Sequence, residues 1–524
     1  MSHSTRTFLA AGLTSLLALG AAFAAAPAAK EEIQPGLQLA DPQRQLPEGL
    51  ERTPQRGLLS VGPDVTIIDL SGVDNYTSGG GTPCPPGYAG NCRGYAIGTN
   101  SCNIGSIPVD WCDQTGGCRV TTDDYHPVIA TNTDHSVIAQ NLYRLKNGRF
   151  EQIGLSFLKH GFVSTNSSNT ACVWNNNGNP DTSCVPPPAG GDQLGVGCTD
   201  FYGAGLNGSR PLGRRSESNG ANADHPENPS GGESNDAYDQ RIVVSEADLD
   251  PAQNPGAVYW LEGQYVVRDD ARSGPTPSPP APLGEGVGGV NMWLGENGHN
   301  NASYIRANVG GLPSLTITMQ GPTVRETAAI FAWQVEDPEV EIVNADRETF
   351  FAGDPVDPPG SGFHPAHWVV ERFHAARRVT QTADGLFAYH YEYAIHNINS
   401  DTSADGFTID FPGASNIGNV GFHDVDHHSG EPFDTSDWTI AVDGPNGTIT
   451  WTAVDMGANT NALRWGTTFS FWFDSDTPPT QMSHTLDLFK IDEPLAVPFF
   501  SENLEIFADG FESGDTSAWS STIP

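Results

Sequence analysis

The chain has 524 residues, with 63 Asp and Glu against 25 Lys and Arg and a formal net charge of −38 at pH 7. So acidic a protein is repelled by nucleic-acid phosphates and by anionic membrane surfaces, which argues against a nucleic-acid-binding function. The length predicts two or three domains.

The first 24 residues are typical of a secretory signal peptide. Arg6 precedes an apolar run from Phe8 to Phe23, and Ala22 and Ala24 provide an A-x-A cleavage site. The run is too short to span a membrane, and no later stretch approaches about 18 uninterrupted apolar residues. We therefore expect a secreted protein, periplasmic or extracellular, without a transmembrane segment.

The next part of the mature chain is predicted to be a β domain. Residues 25–60 are polar and rich in proline and glutamine, which indicates an extended leader. From 61 to 312, short apolar alternations separated by Gly, Pro, Asn and Asp predict an all-β domain with long loops. Within it, the Pro/Gly-rich stretch 273–289 predicts an excursion or a linker that does not pack.

All eight cysteines lie in this domain, and in an exported chain we expect them to form disulfides. They are Cys84, Cys92, Cys102, Cys112, Cys118, Cys172, Cys184 and Cys198. Five precede residue 119 and three follow residue 171, so full pairing requires at least one disulfide between the two groups. Such a bridge spans the intervening segment, and the rest of the connectivity stays open.

A β-hairpin is predicted inside that segment, centred on Asn147-Gly148. This dipeptide favours a two-residue type I′ turn, because both central positions require positive φ. If the dipeptide forms the loop, Arg144 faces Glu151, and this pair of opposite charges supports the register. The domain therefore contains a hairpin of defined register.

The same register places His135 opposite His160, which is the first candidate metal site. Directly opposed side chains lie within about 5.5 Å, so two imidazoles can bind one ion through metal–nitrogen bonds of about 2.0–2.1 Å. His126, upstream on the chain, could supply a third nitrogen. The same hairpin face carries small and polar residues such as Ala139 and Asn141, which predict a solvated pocket. The alternative is a pair of solvated histidines with no ligand.

The remaining chain is predicted to be a sandwich followed by a tail. From 313 to 497, about seven strands at regular spacing indicate an immunoglobulin-like or jelly-roll β-sandwich. Residues 498–524 form a C-terminal tail. Its sequence "IFADGFESGDTSAWSSTIP" resembles a short tail that recurs in unrelated exported bacterial proteins, and the resemblance implies sorting or attachment to the cell surface.

A second group of candidate metal ligands lies in the sandwich and consists of His423, Asp424, Asp426 and His428. We expect Asp424, Asp426 and His428 to converge on a cation, because two neighbouring carboxylates repel unless a cation intervenes. Oxygen ligands would select calcium, whereas imidazoles would select copper or zinc. The alternatives are a solvated rim and an ion pair with Arg464.

These patterns favour one enzymatic and one non-enzymatic function. The sequence lacks the common motifs of serine hydrolases, zinc proteases, P-loop proteins and dinucleotide-binding enzymes. Histidine-rich sites without thiolate ligands favour an exported copper-type oxidoreductase that acts on an extracellular small molecule or polymer. Two β domains with one histidine cluster each also resemble copper monooxygenases in architecture. The alternative is a non-catalytic adhesin or glycan-binding protein with structural calcium.

Overall fold

The computed structural model describes residues 62–85, 88, 90–112, 135–169, 172, 184–209, 212–226, 240–276, 294–352, 366–382, 385–479 and 482–499. The predicted signal peptide, the leader to residue 60, most of the excursion and most of the C-terminal tail lie outside these residues. Within them the protein is all-β, as predicted, and its four α-helices are only four to six residues long. No helix in these ranges is both long and apolar enough to cross a membrane.

Strands and helices are numbered here in chain order. The strands up to residue 324 are β1 (Val65–Asn75), β2 (Thr82–Pro83), β3 (Asn91–Asn103), β4 (Val109–Asp110), β5 (Val137–Lys146), β6 (Arg149–Leu155), β7 (Lys159–His160), β8 (Ser167–Ser168), β9 (Gln193–Leu194), β10 (Cys198–Tyr202), β11 (Ile242–Ser245), β12 (Val258–Val266), β13 (Leu294–Gly295), β14 (Ala302–Val309) and β15 (Ile317–Val324). The later strands are β16 (Glu341–Phe351), β17 (His367–Gln381), β18 (Tyr389–Asn397), β19 (Ala404–Asp410), β20 (Ile417–His423), β21 (Thr439–Asp443), β22 (Thr448–Thr452), β23 (Thr467–Ser475), β24 (Ser483–Leu488) and β25 (Pro494–Ala496). The helices are α1 (Ala204–Asn207), α2 (Glu246–Leu249), α3 (Arg268–Ala271) and α4 (Phe331–Glu336).

The first sheet has twelve antiparallel strands. Its order is β15-β14-β12-β5-β6-β11-β3-β10-β8, with β1 and β2 also paired to β3 and β7 paired to β5. The sheet curls back on itself, so that the side-chain ends of Ile67 and Leu70 of β1 lie 2.9 and 3.1 Å from the position that a Cβ atom would take on Gly263 of β12. The last strand, β15, lies beyond the predicted domain boundary at 312/313, yet it pairs with β14.

The second half of the chain forms a β-sandwich of two sheets. One has the order β13-β17-β18-β23-β20 with β16 beside β17, and the other has the order β21-β22-β19-β24-β25. Alternate residues of a strand point to one face, so Phe469, Phe471 and Phe473 of β23 all enter the core between the sheets. There the ring of Phe471 lies 5.0 Å from that of Phe407 in β19.

The six-stranded sheet of the sandwich also packs against the hairpin β5–β6, so the protein has a layered core. Ala376 and Ala394 of the sandwich share a buried cluster with Tyr143, Phe150 and Trp333. The solvated pocket predicted on this hairpin face is therefore wrong, because the sandwich covers the face and excludes water from it. The described residues from 62 to 499 accordingly group as one compact unit.

The hairpin forms around the predicted turn. Asn147 and Gly148 have φ values of 54° and 84°, as a type I′ turn requires. Arg144 pairs with Glu151 across the strands, and their side chains form a buried ion pair of 2.6 Å. The register near the turn is thus the predicted one.

Further from the turn the register changes. A shift of one residue occurs between Leu142 and Tyr143 of β5, and a second has occurred by the open end, where His160 pairs with Val137. The predicted partner of His160 was His135, so the strands have slipped by two residues. Because side chains alternate with a period of two, a slip of two residues returns every side chain to its original face.

The disulfides confirm the pairing argument. Cys102 is bonded to Cys172, which joins the first group of cysteines to the second across the hairpin segment. The other described bridges are Cys84–Cys92 and Cys184–Cys198. Cys112 is also disulfide-bonded, whereas Cys118 lies outside the described residues.

Candidate metal centre

Three buried histidines meet at the open end of the hairpin. One ring nitrogen from each of His135, His160 and His225 lies within 4.8 Å of the other two. The three residues are 1%, 0% and 6% exposed, in the same order. Across the described ranges, no other group of three His, Cys, Asp or Glu side chains is this close together. We refer to these three residues as the histidine triad.

The strand register brings the first two histidines together. His160 pairs with Val137, and the backbone N–H of Gly161 donates to the carbonyl of Ser136. His135 is therefore the diagonal neighbour of His160, a position from which long side chains still make contact. His135 Nε2 lies 2.6 Å from His160 Nδ1, so the predicted contact forms despite the slipped register.

His225 comes from the irregular segment 212–226. Gly213 and Leu158 exchange two backbone hydrogen bonds of 2.8 Å, which fix the start of this segment beside β7. Near its end a tight turn closes, as the N–H of Asn219 donates to the carbonyl of Asp224. The ring of His225 then lies 4.4 Å from that of His135 and 5.5 Å from that of His160.

The sequence prediction missed His225. The predicted third ligand, His126, lies outside the described residues. His225 stands in the Asn- and Asp-rich stretch "SNGANADHPENP", which has no strand periodicity and no other histidine. No local spacing connects it to the hairpin, because the contact depends on how a long irregular segment folds back.

Two imidazoles of the triad, those of His160 and His225, are neutral at ordinary pH. Burial lowers the pKa of His160 to about 3, and the nearby His135 and Lys159 lower it further. Burial also holds the pKa of His225 well below its usual value, with further contributions from His135, His160 and Arg268. Neutral imidazoles keep the lone pairs that bind metal ions.

Some of these ring nitrogens lack partners. His160 Nε2 and at least one ring nitrogen of His225 are buried and make no hydrogen bond within the described structure. An unsatisfied buried polar group costs about 1–3 kcal/mol, so the nitrogens of His160 and His225 favour a ligand between them. A bound ion would satisfy the nitrogens.

The nitrogens of His135 and His160 lie slightly closer together than two ligands of one ion. Two nitrogens bound to one tetrahedral ion at about 2.0–2.1 Å lie about 3.3 Å apart. At 2.6 Å, His135 and His160 instead share an N–H···N hydrogen bond. Binding would replace this bond and increase the distance between the two nitrogens by about 0.7 Å. Small rotations of the rings supply this increase.

No protein-family model matches the chain. Nor does any curated protein match it significantly. The function of this chain is therefore inferred from the chemistry of its own residues.

The second predicted ligand group does not assemble. His428 Nε2 donates to the carbonyl of Leu155, and His428 Nδ1 accepts from Ser429 Oγ, at 2.8 Å each. His423 Nε2 lies 3.2 Å from the carbonyl of Gln152. Both imidazoles therefore attach the end of β20 and the residues after it to strand β6, and within the described residues they form no ligand group with Asp424 and Asp426.

The two carboxylates are not neutralised by Arg464 either. Arg464 Nη2 donates to the carbonyls of Ala458 and Thr460. Asp424 instead accepts a hydrogen bond of 2.5 Å from Asn461. Burial, reinforced by Asp424, raises the pKa of Asp426 to about 7. Protonation of Asp426 thus relieves the repulsion between the two carboxylates. The sequence prediction assigned that role to a cation.

Replacing Asp426 with asparagine is expected to stabilise the protein at pH 8 and to leave it unchanged at pH 4. The folded pKa of about 7 exceeds the ordinary 3.8, so the folded state binds the extra proton and the free energy of unfolding falls as pH rises between these values. Asp426→Asn removes this loss, which the difference between the two pKa values limits to about 4 kcal/mol at pH 8. Urea unfolding at both pH values measures it.

The exposed Asp410→Asn is the control for the loss of one charge from the sandwich, and we expect little change at either pH. A cation bound at Asp426 would reverse the sign of the change in the free energy of unfolding at pH 8. In that case Asp426→Asn would destabilise the protein, and a chelator would lower the melting temperature of the parent.

Proposed function

We propose that the protein is an exported metal-binding protein whose histidine triad holds one transition-metal ion. The observation that carries this proposal is the meeting of three buried imidazoles with ligand atoms within 4.8 Å. Imidazole nitrogen suits copper, zinc, iron and nickel, whereas calcium prefers oxygen ligands. Export is supported by the signal-peptide composition of residues 1–24 and by several disulfides.

Copper is the proposed ion, and oxidation of an extracellular small molecule or polymer is the proposed activity. Three protein ligands are typical of catalytic centres, which keep a further position open, whereas structural zinc sites usually have four. The triad offers nitrogen donors alone, a set that accommodates both oxidation states of copper. His135, His160 and His225 would hold the ion, and copper bound there would supply one-electron redox chemistry.

Elemental analysis of the purified full-length protein tests this proposal. We expect about one copper ion per chain, with nitrogen hyperfine structure in its EPR spectrum. His225→Ala should lose the copper because only two ligands remain. His423→Gln is the matched control and should retain it, because His423 contacts the Gln152 carbonyl and is not a member of the triad.

The other outcomes are equally informative. If the parent contains one zinc ion per chain and His225→Ala loses it, the proposed metal centre is supported and the oxidoreductase proposal is overturned. Calcium alone would favour the adhesin or glycan-binding function. A metal-free parent, purified without chelator and unable to take up added copper, would overturn the metal centre.

A further inference from the structure

A lysine and a buried asparagine are in contact beside the turn of the hairpin. Lys146 is the last residue of β5 and is half-buried, and its Nζ lies 2.8 Å from Asn254 Oδ1. Asn254 belongs to the connection between α2 and β12 and is 4% exposed. A carbonyl bond is about 1.23 Å long, so at most about 4 Å separates the amine from the amide carbon. Reacting atoms that are poised for attack lie about 3–3.5 Å apart, so a small movement brings these two to that distance.

The side-chain amide of Asn254 is held in place and polarised. Its Nδ2 donates to the carbonyls of Ala247 and Asp250 at 2.7 and 3.0 Å. Its Oδ1 also accepts a hydrogen bond of 3.0 Å from the guanidinium of Arg144. A fixed cation on a carbonyl oxygen stabilises the negative charge that develops there when a nucleophile adds to the carbon. Arg144 therefore makes this amide carbon more reactive towards a nucleophile.

The surroundings of Lys146 favour the free amine. Burial lowers the pKa of Lys146, and the neighbouring Arg144 lowers it further, whereas Glu151 and Asp248 act in the opposite direction. A lower pKa increases the fraction of lysine that has a lone pair for attack. Arg144 also holds Glu151 and Asp248 at 2.6 and 2.9 Å. These carboxylates are close enough to affect the charge of Lys146, and they can accept a proton from it.

The usual self-reaction of asparagine is blocked at this position. An asparagine side chain ordinarily loses its amide when the backbone nitrogen of the next residue, after giving up its N–H proton, attacks the amide carbon. The residue after Asn254 is Pro255, which has no N–H. The amide is therefore preserved for another nucleophile, and the lysine in contact with it is a primary amine.

We propose that Lys146 and Asn254 form an intramolecular isopeptide bond. The Nζ atom of Lys146 adds to Cγ of Asn254, a new N–C bond forms, and the bond between Cγ and Nδ2 breaks. Nδ2 leaves as ammonia with a proton that the lysine gives up, so the reaction needs no oxidant and no further reactant. The bond joins residues that are 108 apart in the sequence. It fixes the turn end of the hairpin to the connection before β12, it resists reducing agents, and it does not depend on the metal centre.

Mass spectrometry of the purified protein tests this proposal. After reduction and denaturation, we expect the intact mass to be lower, by one molecule of ammonia, than the mass calculated from the sequence and the observed N-terminus. Trypsin cleaves after Lys and Arg but not after a cross-linked lysine. Peptide mapping should therefore yield residues 145–149 joined to residues 242–268. If the folded parent does not give this branched peptide even after incubation at alkaline pH, the proposal is overturned.

Two lysine variants provide the comparison. Lys146→Arg keeps the positive charge and removes the amine, so we expect the full calculated mass and only linear peptides. Lys490→Arg is the matched control and should still give the branched peptide. Lys490 also contacts an oxygen, Asp401 Oδ1 at 2.7 Å, but it is more exposed and its partner is a carboxylate. The chain has only four lysines, so the cross-linked one is readily assigned.

The map also distinguishes the cross-link from another reaction that releases ammonia. Asparagine followed by glycine, as in Asn147-Gly148, can cyclise to a succinimide with the same change in mass. If the loss of ammonia persists in Lys146→Arg and the parent gives only linear peptides, the proposal is overturned. If Lys146→Arg does not fold, the peptide map of the parent decides alone. In that case the branched peptide supports the isopeptide bond, and linear peptides for both segments exclude it.

Discussion

Replacing Arg215 with methionine is expected to lower the free energy of unfolding by about 3–5 kcal/mol. Arg215 is 3% exposed, and burial lowers its pKa only to about 10, so it stays charged at neutral pH. Its guanidinium donates to the carbonyls of Ser156, Gly466 and Gln140 and to Asn141 Oδ1 at 2.7–3.1 Å. Methionine leaves these four buried acceptors without that donor.

The same residue joins both halves of the protein. Three of its acceptors belong to the hairpin region, and Gly466 belongs to the sandwich, just before β23. The backbone N–H groups of Arg215 and Ser216 also donate to the Glu431 carboxylate at 3.0 and 2.9 Å. Because Arg215 stands in the segment that carries His225, its loss should also weaken metal binding at the triad.

Urea unfolding at pH 7 measures the change, and Arg372→Met is the control. Arg372 makes a bidentate ion pair with Asp346 at 2.8 and 2.6 Å, but both side chains are partly exposed. Exposed pairs of this kind contribute about 1 kcal/mol or less. Equal losses in the two variants would show that the buried network around Arg215 adds nothing beyond an ordinary surface pair.

Removing the disulfide between Cys102 and Cys172, by replacing both with serine, is expected to cost about 4 kcal/mol. The two cysteines are 70 residues apart in the sequence. Their bond restricts the unfolded chain strongly, because the entropy of an open loop increases with its length. The bond also closes the segment that contains β5, β6 and β7, so both hairpin histidines lie inside the loop.

The variant Cys84→Ser with Cys92→Ser provides the comparison. Those cysteines are only 8 residues apart, and the same loop-entropy estimate gives about 2.6 kcal/mol. Chemical denaturation under non-reducing conditions gives both values. If the short bridge proves as stabilising as the long one, loop entropy is not the source of the stabilisation.

Local chemistry allowed the sequence alone to determine several features. The positive φ values demanded by Asn147-Gly148 fixed the turn and the register next to it, including the pair Arg144 and Glu151. Alternation of apolar and polar residues identified the all-β class, since the period of a strand is visible in the strand itself. The odd number of cysteines on each side of the hairpin required a bridge between the groups, which Cys102–Cys172 provides.

Only the tertiary structure decided the candidate site. The register shifts between Tyr143 and the open end of the hairpin are not encoded by any turn residue, and together they made His135 the diagonal neighbour of His160 and not its direct partner. His225 entered the site through an irregular segment held by Arg215 and Gly213. The small and polar hairpin face, predicted to be solvated, is buried because the sandwich packs on it. Each outcome depends on contacts between residues far apart in the chain. The sequence pattern of one segment carries no information about the surface that will cover that segment.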